Sequence, residues 1–378
     1  MKKLSVGIIF GGKSAEHEVS LQSAKNIIEA IDRDRFDLVL IGIDKQGQWH
    51  LSDANHYLVH ADDPQLISFN ASERHLALQP GQISQPFIES NNAQQLSQID
   101  VILPIIHGTL GEDGSLQGLL EFVDRPYVGS SVLGSSICMD KDVTKRLLMH
   151  AGIAVAPYFA IKAAAVKSAA DEEALYHQAV AKLGLPLFIK PASQGSSVGV
   201  SKVSDLNAFS TAIKLAFNYD HKVLIEQAIV GREIECAILG NEQPRASVCG
   251  EVLTQDQFYS YQAKYIDGQS KAVIPAELSA DAEANIQAIA LKTFMALECS
   301  GLARVDVFLT PNNEVVVNEV NTLPGFTNIS MYPQLWQASG LSYRDLISTL
   351  IDLAIERYQS QASKQHYIDL SAFEKAKN

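Results

Sequence analysis

The feature that most constrains the fold lies late in the chain, at residues 301–330, GLARVDVFLTPNNEVVVNEVNTLPGFTNIS. Two short apolar-rich runs, 303–309 and 315–320, flank Thr310-Pro311-Asn312-Asn313, a pattern that predicts two antiparallel strands joined by a turn. Side chains alternate faces along a strand. Arg304 and Asp306 therefore share one face of the first strand, and Glu319 and Asn321 share one face of the second. Such a face can be a solvated strand surface with an Arg–Asp pair. Four polar groups in register, with Pro324-Gly325 close behind, point instead to chemistry. Asp, Glu and Asn are hard oxygen donors suited to Mg²⁺ held jointly with a nucleotide's phosphates.

A chain of 378 residues is long for one core, and two or three domains are expected. Thirty Lys and Arg against 43 Asp and Glu give a net charge of −13 with no basic run, which argues against a nucleic-acid or anionic-membrane surface. An acidic chain that handles a nucleotide must concentrate its few cations in the site. The four cysteines, Cys138, Cys236, Cys249 and Cys299, lack metal-ligand spacing and fit the idle thiols of a reducing compartment. Lys2-Lys3 before an apolar run looks superficially like a secretion signal. The run is short, meets Gly11-Gly12 and leads into Glu16-His17-Glu18, so a first core strand explains it better. No apolar run approaches the roughly 20 residues needed to span a bilayer, and a cytoplasmic location is expected.

Taken in order, residues 4–10 predict a buried strand, 19–31 a helix capped by Ser14 or Ser20, and 36–43 a second strand. GGKSAEHE lacks the GxGxxG pattern of a dinucleotide site and puts a carboxylate, Glu16, where a pyrophosphate would lie. Glu16 can be a partner of the helix dipole or the holder of an ammonium group, and both readings stand at this point. Residues 44–98 are polar and read as a surface elaboration. Residues 99–106 predict another buried strand, ending in His107-Gly108 and the loop before a helix at 115–122. Ligands of open α/β sheets gather beyond strand carboxyl ends, so Glu16 and His107 can face one crevice; a structural role for the imidazole is the alternative. Helices at 139–150, 205–217, 280–297 and 342–358 and strands at 187–190, 198–203, 222–227, 231–239 and 245–253 complete the outline. Residues 255–276, with Tyr259, Tyr261 and Tyr265 but no periodicity, read as a mobile lid.

The loop Ser193-Gln194-Gly195-Ser196-Ser197 sits between two predicted strands and lacks the terminus of a P-loop. It can be an ordinary hairpin turn, or it can fold its backbone N–H groups and hydroxyls over phosphate oxygens. Lys190, closing the apolar strand just before it, tips the balance, because a buried lysine needs an anionic partner.

A lysine-ended strand, a Ser/Gly loop, the run KVLIEQAI and the R-x-D…E-x-N hairpin together resemble the ATP-grasp enzymes. GGKSAEHEVS, HGTLGEDGSLQG, GIAVAP, KPASQGSSVGVSKV, YQAKY, RVDVFL and NEVNTLPGFTNIS are, in this order and across essentially the whole chain, similar to the D-alanine–D-alanine ligases, in their longer form. Gln194 departs from the pattern, since many relatives carry a charged residue there. The resemblance implies an α/β and α+β fold of three domains. The first, 1–129, would be an open α/β sheet with the polar insert; 130–226 and 227–378 would hold ATP between them.

It also implies the chemistry. ATP phosphorylates the carboxylate of one D-alanine, and the amine of a second displaces the phosphate, giving D-alanyl-D-alanine for peptidoglycan precursors. Asp306, Glu319 and Asn321 would bind two Mg²⁺ ions, with Mn²⁺ a possible substitute. Lys141, Lys190, Ser196, Ser197 and Lys264 would contact ATP, and Glu226 and Glu233 its adenosine. Glu16 would take the ammonium of the first D-alanine, with His107 near its carboxylate. Arg304 and the N–H of Gly325 would stabilise the oxyanion, and Gly325 and Ser330 would receive the second carboxylate. Tyr265 would close the lid and favour an amide over an ester product. A homodimer is expected from the family. A ligase taking D-lactate or D-serine as acceptor, or a catalytically silent ATP or amino-acid sensor on the same fold, are the alternative readings.

Overall fold

The computed structural model describes residues 2–81, 85–253 and 271–364. Its framework is three sheets. The first is built on β1 (Leu4–Gly11), whose residues Val6 to Gly11 are all buried, as expected of a central parallel strand. Helix α1 (His17–Ala30) crosses to the parallel partner β2 (Phe36–Ile43), and β3 (Trp49–Ser52) adds antiparallel to it. Two small hairpins follow, β4 (Leu58–Val59) with β5 (Ser68–Phe69) and β6 (Leu76–Leu78) with β7 (Phe87–Glu89). The polar region 44–98 therefore extends the sheet and covers it, because Trp49, Phe69 and Phe87 give it apolar anchors. Then β8 (Val101–Ile105) joins β1 on its other side, giving the order β3-β2-β1-β8. Strands β2 and β8 lie parallel to β1 on its opposite sides, so the order of strand addition reverses at β1 and the carboxyl ends of β1 and β8 frame a crevice.

Helix α2 (Ser115–Phe122) leads into α3 (Val132–Met139) and α4 (Lys141–His150). The single helix expected at 139–150 is thus preceded by a second one and interrupted at Asp140, whose carboxylate caps α4 by accepting from the N–H groups of Asp142 and Val143. Neither Ser14 nor Ser20 caps α1: Ser14 accepts from Glu16 N–H, and Ser20 accepts from Gly11 N–H and donates to Ile105 O, bracing α1 between β1 and β8. Apolar side chains of α3 and α4, including Cys138 and Leu148, join the core of the third sheet.

The second sheet is antiparallel, in the order β11-β10-β12-β9: β9 (Tyr158–Lys162), β10 (Leu187–Pro191), β11 (Ser201–Val203) and β12 (Lys222–Gln227), backed by α5 (Ala169–Leu183) and α6 (Leu206–Phe217). Strand β11 starts later than expected because Ser197 to Val200 stay in turns. The third sheet runs β15-β14-β13-β16-β17 and comprises β13 (Arg232–Gly240), β14 (Arg245–Leu253), β15 (Lys271–Val273), β16 (Gly301–Leu309) and β17 (Val315–Asn321). It packs against α7 (Ala280–Ala296) on one side and α8 (Met331–Ala338) and α9 (Tyr343–Ala362) on the other. Of the expected lid at 255–276, residues 255–270 lie outside the described residues, and Lys271–Val273 form β15, paired with β14. Ile27 and Ile28 of α1 share a core with Trp336, Ile347 and Ile351, which seats the first sheet's crevice against the third sheet. A bridge between Val155 and Val317, with Val317 N–H donating to Ala154 O at 2.9 Å, ties the approach to β9 to the edge strand β17.

Candidate active site

The hairpin β16–β17 forms as expected, and its register decides which side chains meet. Arg304 lies opposite Asn321, and Asp306 opposite Glu319. Strand β13 on the other side sets Glu235 beside Asp306, so Glu235, Asp306 and Glu319 run abreast across three strands. A bulge follows the Asp306–Glu319 pair, where β17 carries one extra residue, Asn318. The bulge lets Asn318 and Glu319 both escape the core, and Asn318 meets Lys190. Arg304 forks onto Asp306 with two 2.7 Å hydrogen bonds, and its Nε lies 2.8 Å from Glu235 Oε2. Burial opposes the guanidinium's charge, but Asp306 and Glu235 outweigh it and hold its pKa well above the ordinary value.

Helix α4 delivers cations to this face. Lys222 pairs with Asp140 at 2.6 Å and Asp142 at 3.1 Å, pinning the start of α4 to β12. Lys141 then donates to Gln194 O at 2.7 Å and lies 3.6 Å from Glu319. One turn on, Lys145 is 1% exposed and 3.1 Å from Glu226 Oε1, while Lys190 reaches Glu226 Oε2 at 2.6 Å. Burial works to raise the Glu226 pKa, yet the two lysines hold it below the usual carboxylate value. Burial, together with Lys190 and Lys141, keeps the Lys145 pKa below the usual ammonium value despite Glu226. The glycine/serine loop is anchored at its start by Ser193 N–H to Asp220 at 2.8 Å. Ser196 and Ser197 then take left-handed conformations, φ 50° and 59°, which non-glycine residues keep only where their surroundings impose them.

Ser196 meets the first sheet's crevice: its hydroxyl donates to Glu16 Oε1, a residue 180 positions away. Glu16 stands at the mouth of α1 beside Gly108. Gly108 has φ +74°, strained for any other residue, and a Cβ there would come within 2.7 Å of Glu16 Oε2 and push the carboxylate aside. His107 is buried with both ring nitrogens engaged. Leu323 O can only accept, so Nδ1–H donates to it at 3.0 Å and Nε2 accepts from Ser23 Oγ–H at 3.0 Å. Ser23 in turn accepts from Phe326 N–H at 3.2 Å. Burial holds the His107 pKa below its ordinary value even though Glu16 pulls the other way. His107 therefore grips the 323–326 loop rather than presenting a free nitrogen. In that loop Gly325 lies against Ser330, whose hydroxyl would be 2.9 Å from a Cβ added there, and Ser330 Oγ pairs with Thr327.

Glu16, His107, Lys141, Lys190, Ser196, Ser197, Arg304, Asp306, Glu319, Asn321, Gly325 and Ser330 thus converge from all three sheets. Glu112, Lys141, Gly195, Ser196, Glu319 and Asn321 line one small cavity of about 50 Å³. Glu233 shares the face of Glu235 two residues earlier on β13, near the junction with β12. Lys264 and Tyr265 lie outside the described residues. Sequence reasoning missed Ser23, Glu112, Lys145 and Glu235. Glu112 sits past the end of β8, accepts from Gly108 N–H at 2.9 Å, and is raised well above the usual carboxyl pKa by burial and then by Glu16. Lys145 had a signal: Lys141, Thr144, Lys145 and Leu148 form a buried stripe at helical spacing, with lysines where apolar residues belong.

A sheet-borne carboxylate row facing a glycine/serine loop and buried lysines across a cleft is the architecture of an ATP-grasp ligase. The family models described as "D-ala D-ala ligase N-terminus" and "D-ala D-ala ligase C-terminus" match residues 5–130 and 147–352, and the chain belongs to this family. It is 59% identical over 359 residues to D-alanine–D-alanine ligase A of Escherichia coli, spanning 95% of this chain and 97% of that protein. It is 61% identical over 360 residues to the D-alanine–D-alanine ligase of Shouchella clausii, spanning 95% and 96%. Among solved structures, the D-alanine–D-alanine ligase from Coxiella burnetii superposes with a TM-score of 0.81 at 39% identity, covering 96% of this chain and 97% of that one. The VanG D-Ala:D-Ser ligase from Enterococcus faecalis gives 0.80 at 37%, covering 93% and 100%.

Proposed function

We infer that the chain joins two D-alanine molecules into D-alanyl-D-alanine, with ATP as co-substrate, for peptidoglycan synthesis. The observation that carries the reading at the level of the site is the hydrogen bond from Ser196 to Glu16, which sets the phosphate-handling loop against the carboxylate that would hold the amino group. Relatives 59% and 61% identical carry the same activity in their names.

The donor set fits a hard divalent cation: Asp306 and Glu319 are adjacent oxygen donors with Asn321 beside them. Mg²⁺ on Asp306, Glu319 and Asn321 would neutralise the charge that moves during phosphoryl transfer, and Mn²⁺ could replace it. The chain's own residues supply the rest. Glu16 binds the ammonium of the first D-alanine and so aims its carboxylate at the γ-phosphate. A carboxylate is a poor electrophile until one oxygen becomes part of a leaving group, which is what phosphorylation achieves. Lys141, Lys190, Ser196 and Ser197 hold the phosphates, Glu226 and Glu233 the adenosine. Arg304 and Gly325 N–H stabilise the tetrahedral oxyanion when the second amine attacks. Gly325 and Ser330 receive the second carboxylate. His107 acts by fixing the loop that carries Gly325. Lys264, which would contact ATP, and Tyr265, which would favour an amide product, lie outside the described residues and enter on the family resemblance alone.

The division into 1–129, 130–226 and 227–378 and assembly as a homodimer are part of this proposal. Four buried free cysteines support a cytoplasmic location, and no helix among the described residues is long and apolar enough to cross a membrane. ADP release coupled to a detecting enzyme, with D-alanine and separately L-alanine, tests the reaction. Release that requires D-alanine and Mg²⁺ is the expected result. Preference for D-lactate at neutral pH, or nucleotide binding without turnover, would replace the reading with an ester ligase or a sensor.

A further inference from the structure

Both lysines assigned to phosphate are already paired with carboxylates: Lys141 with Glu319 at 3.6 Å and Lys190 with Glu226 at 2.6 Å. For either to bind phosphate it must loosen that pair. The two cases differ chemically. Glu319 stands beside Asp306 on the face read as cation-binding, so an incoming divalent ion replaces its lysine. Glu226 stands on β12 in the other sheet, 3% exposed, with no such replacement in view. A carboxylate that deep cannot be left uncompensated when Lys190 departs.

The second lysine resolves this. Lys145 lies 3.1 Å from the other oxygen of Glu226, is 1% exposed, and is too enclosed to reach a ligand itself. Its stem is held on α4, and its ammonium lies 5.6 Å above the Tyr158 ring, whose hydroxyl reaches Asp142. We propose that Lys145 is the standing counter-ion of Glu226, a positioning residue that lets Lys190 transfer from carboxylate to nucleotide phosphate and keeps Glu226 ionised for the adenosine. This also gives a reason for burying three charges where an apolar core would cost nothing to desolvate: one of the three has to move.

The proposal rests on the ATP-site reading above, so wild-type Mg·ATP binding is measured first by calorimetry. Its absence defeats that reading, not this one. Given wild-type binding, Lys145→Met leaves Glu226 dependent on Lys190 alone. Nucleotide Kd and the KM for ATP should rise about tenfold or more, equivalent to about 1.4 kcal/mol per factor of ten. The KM for D-alanine and kcat at saturating ATP should stay within about twofold. Lys145→Gln, which keeps a donor toward Glu226 but not the charge, provides a second variant of milder packing change and should raise the ATP KM in the same selective way. Wild-type ATP affinity in either folded variant overturns the proposal. So does a parallel loss in ATP affinity, D-alanine affinity and kcat, which would mark Lys145 as a general support of the fold.

Discussion

Replacing Ser23 by alanine isolates the tie that runs from the first sheet's helix to the loop carrying Gly325. Ser23 is wholly buried on α1, and its one oxygen serves two partners: it donates to His107 Nε2 and accepts from Phe326 N–H. Removing it orphans an imidazole nitrogen and a backbone N–H in a site closed to water. Each buried unsatisfied group costs about 1–3 kcal/mol, so the loss is about 2–6 kcal/mol, with ~3 kcal/mol a central value after partial relaxation. With a urea dependence of about 3 kcal/mol per M, the unfolding midpoint should fall by about 1 M. Trp336 shares its core with Phe326 and Ile27, so its fluorescence reports on the affected region. The loop's freedom should also blur the position of Gly325 N–H. A misplacement of about 1 Å costs on the order of a hundredfold, so kcat/KM for D-alanine should fall about 10- to 100-fold while the KM for ATP holds. An unchanged midpoint together with unchanged D-alanine kinetics would refute the idea that this chain of hydrogen bonds positions the loop.

Glu319→Ala should abolish D-alanine-dependent ADP release, and near-normal turnover in the coupled assay would remove it from the metal set. Gly108→Ala meets both a φ of +74° and a clash 2.7 Å from Glu16 Oε2, so the KM for D-alanine should rise at least about tenfold in initial-rate measurements. Asp140→Ala removes the cap of α4 and a partner of Lys222; loss of a cap costs about 1 kcal/mol, and the urea midpoint should drop with a raised KM for ATP. The pH response follows from His107. Burial depresses its folded pKa below the ordinary 6.5, so the unfolded chain takes the proton first; the contribution is fully present above pH 6.5 and is lost as pH falls below it. The wild-type midpoint should therefore decline between pH 6.5 and 5.5 more steeply than that of His107→Gln, and parallel curves would argue otherwise.

The hairpin β16–β17 was legible because strand alternation and a turn signal are local, and the same holds for β1, β2, α2 and β12. The break at Asp140 was not, since a helix run and a capping aspartate within it look alike until the chain is seen to bend there. The chemistry of Glu16 could be read either way from its own neighbourhood. Its hydrogen bond to Ser196 joins residues from different sheets, and no periodicity reports such a contact. His107 allowed a ligand contact or a structural role, and its hydrogen bonds to Leu323 and Ser23, partners on other elements, could not be read from its own neighbourhood. Lys145 and Glu235 escaped notice because a charge on a buried stripe or an inner strand has meaning only with its partner in view.

The chain's order of apolar and polar residues by itself determined the strands, helices and turns, and the family motifs carried the reaction class, because both are written in neighbouring positions. Which carboxylate faces which lysine was decided only when three sheets packed together. Charge pairing in a buried cleft depends on distance through space, and residues far apart in sequence acquire that distance only in the folded molecule.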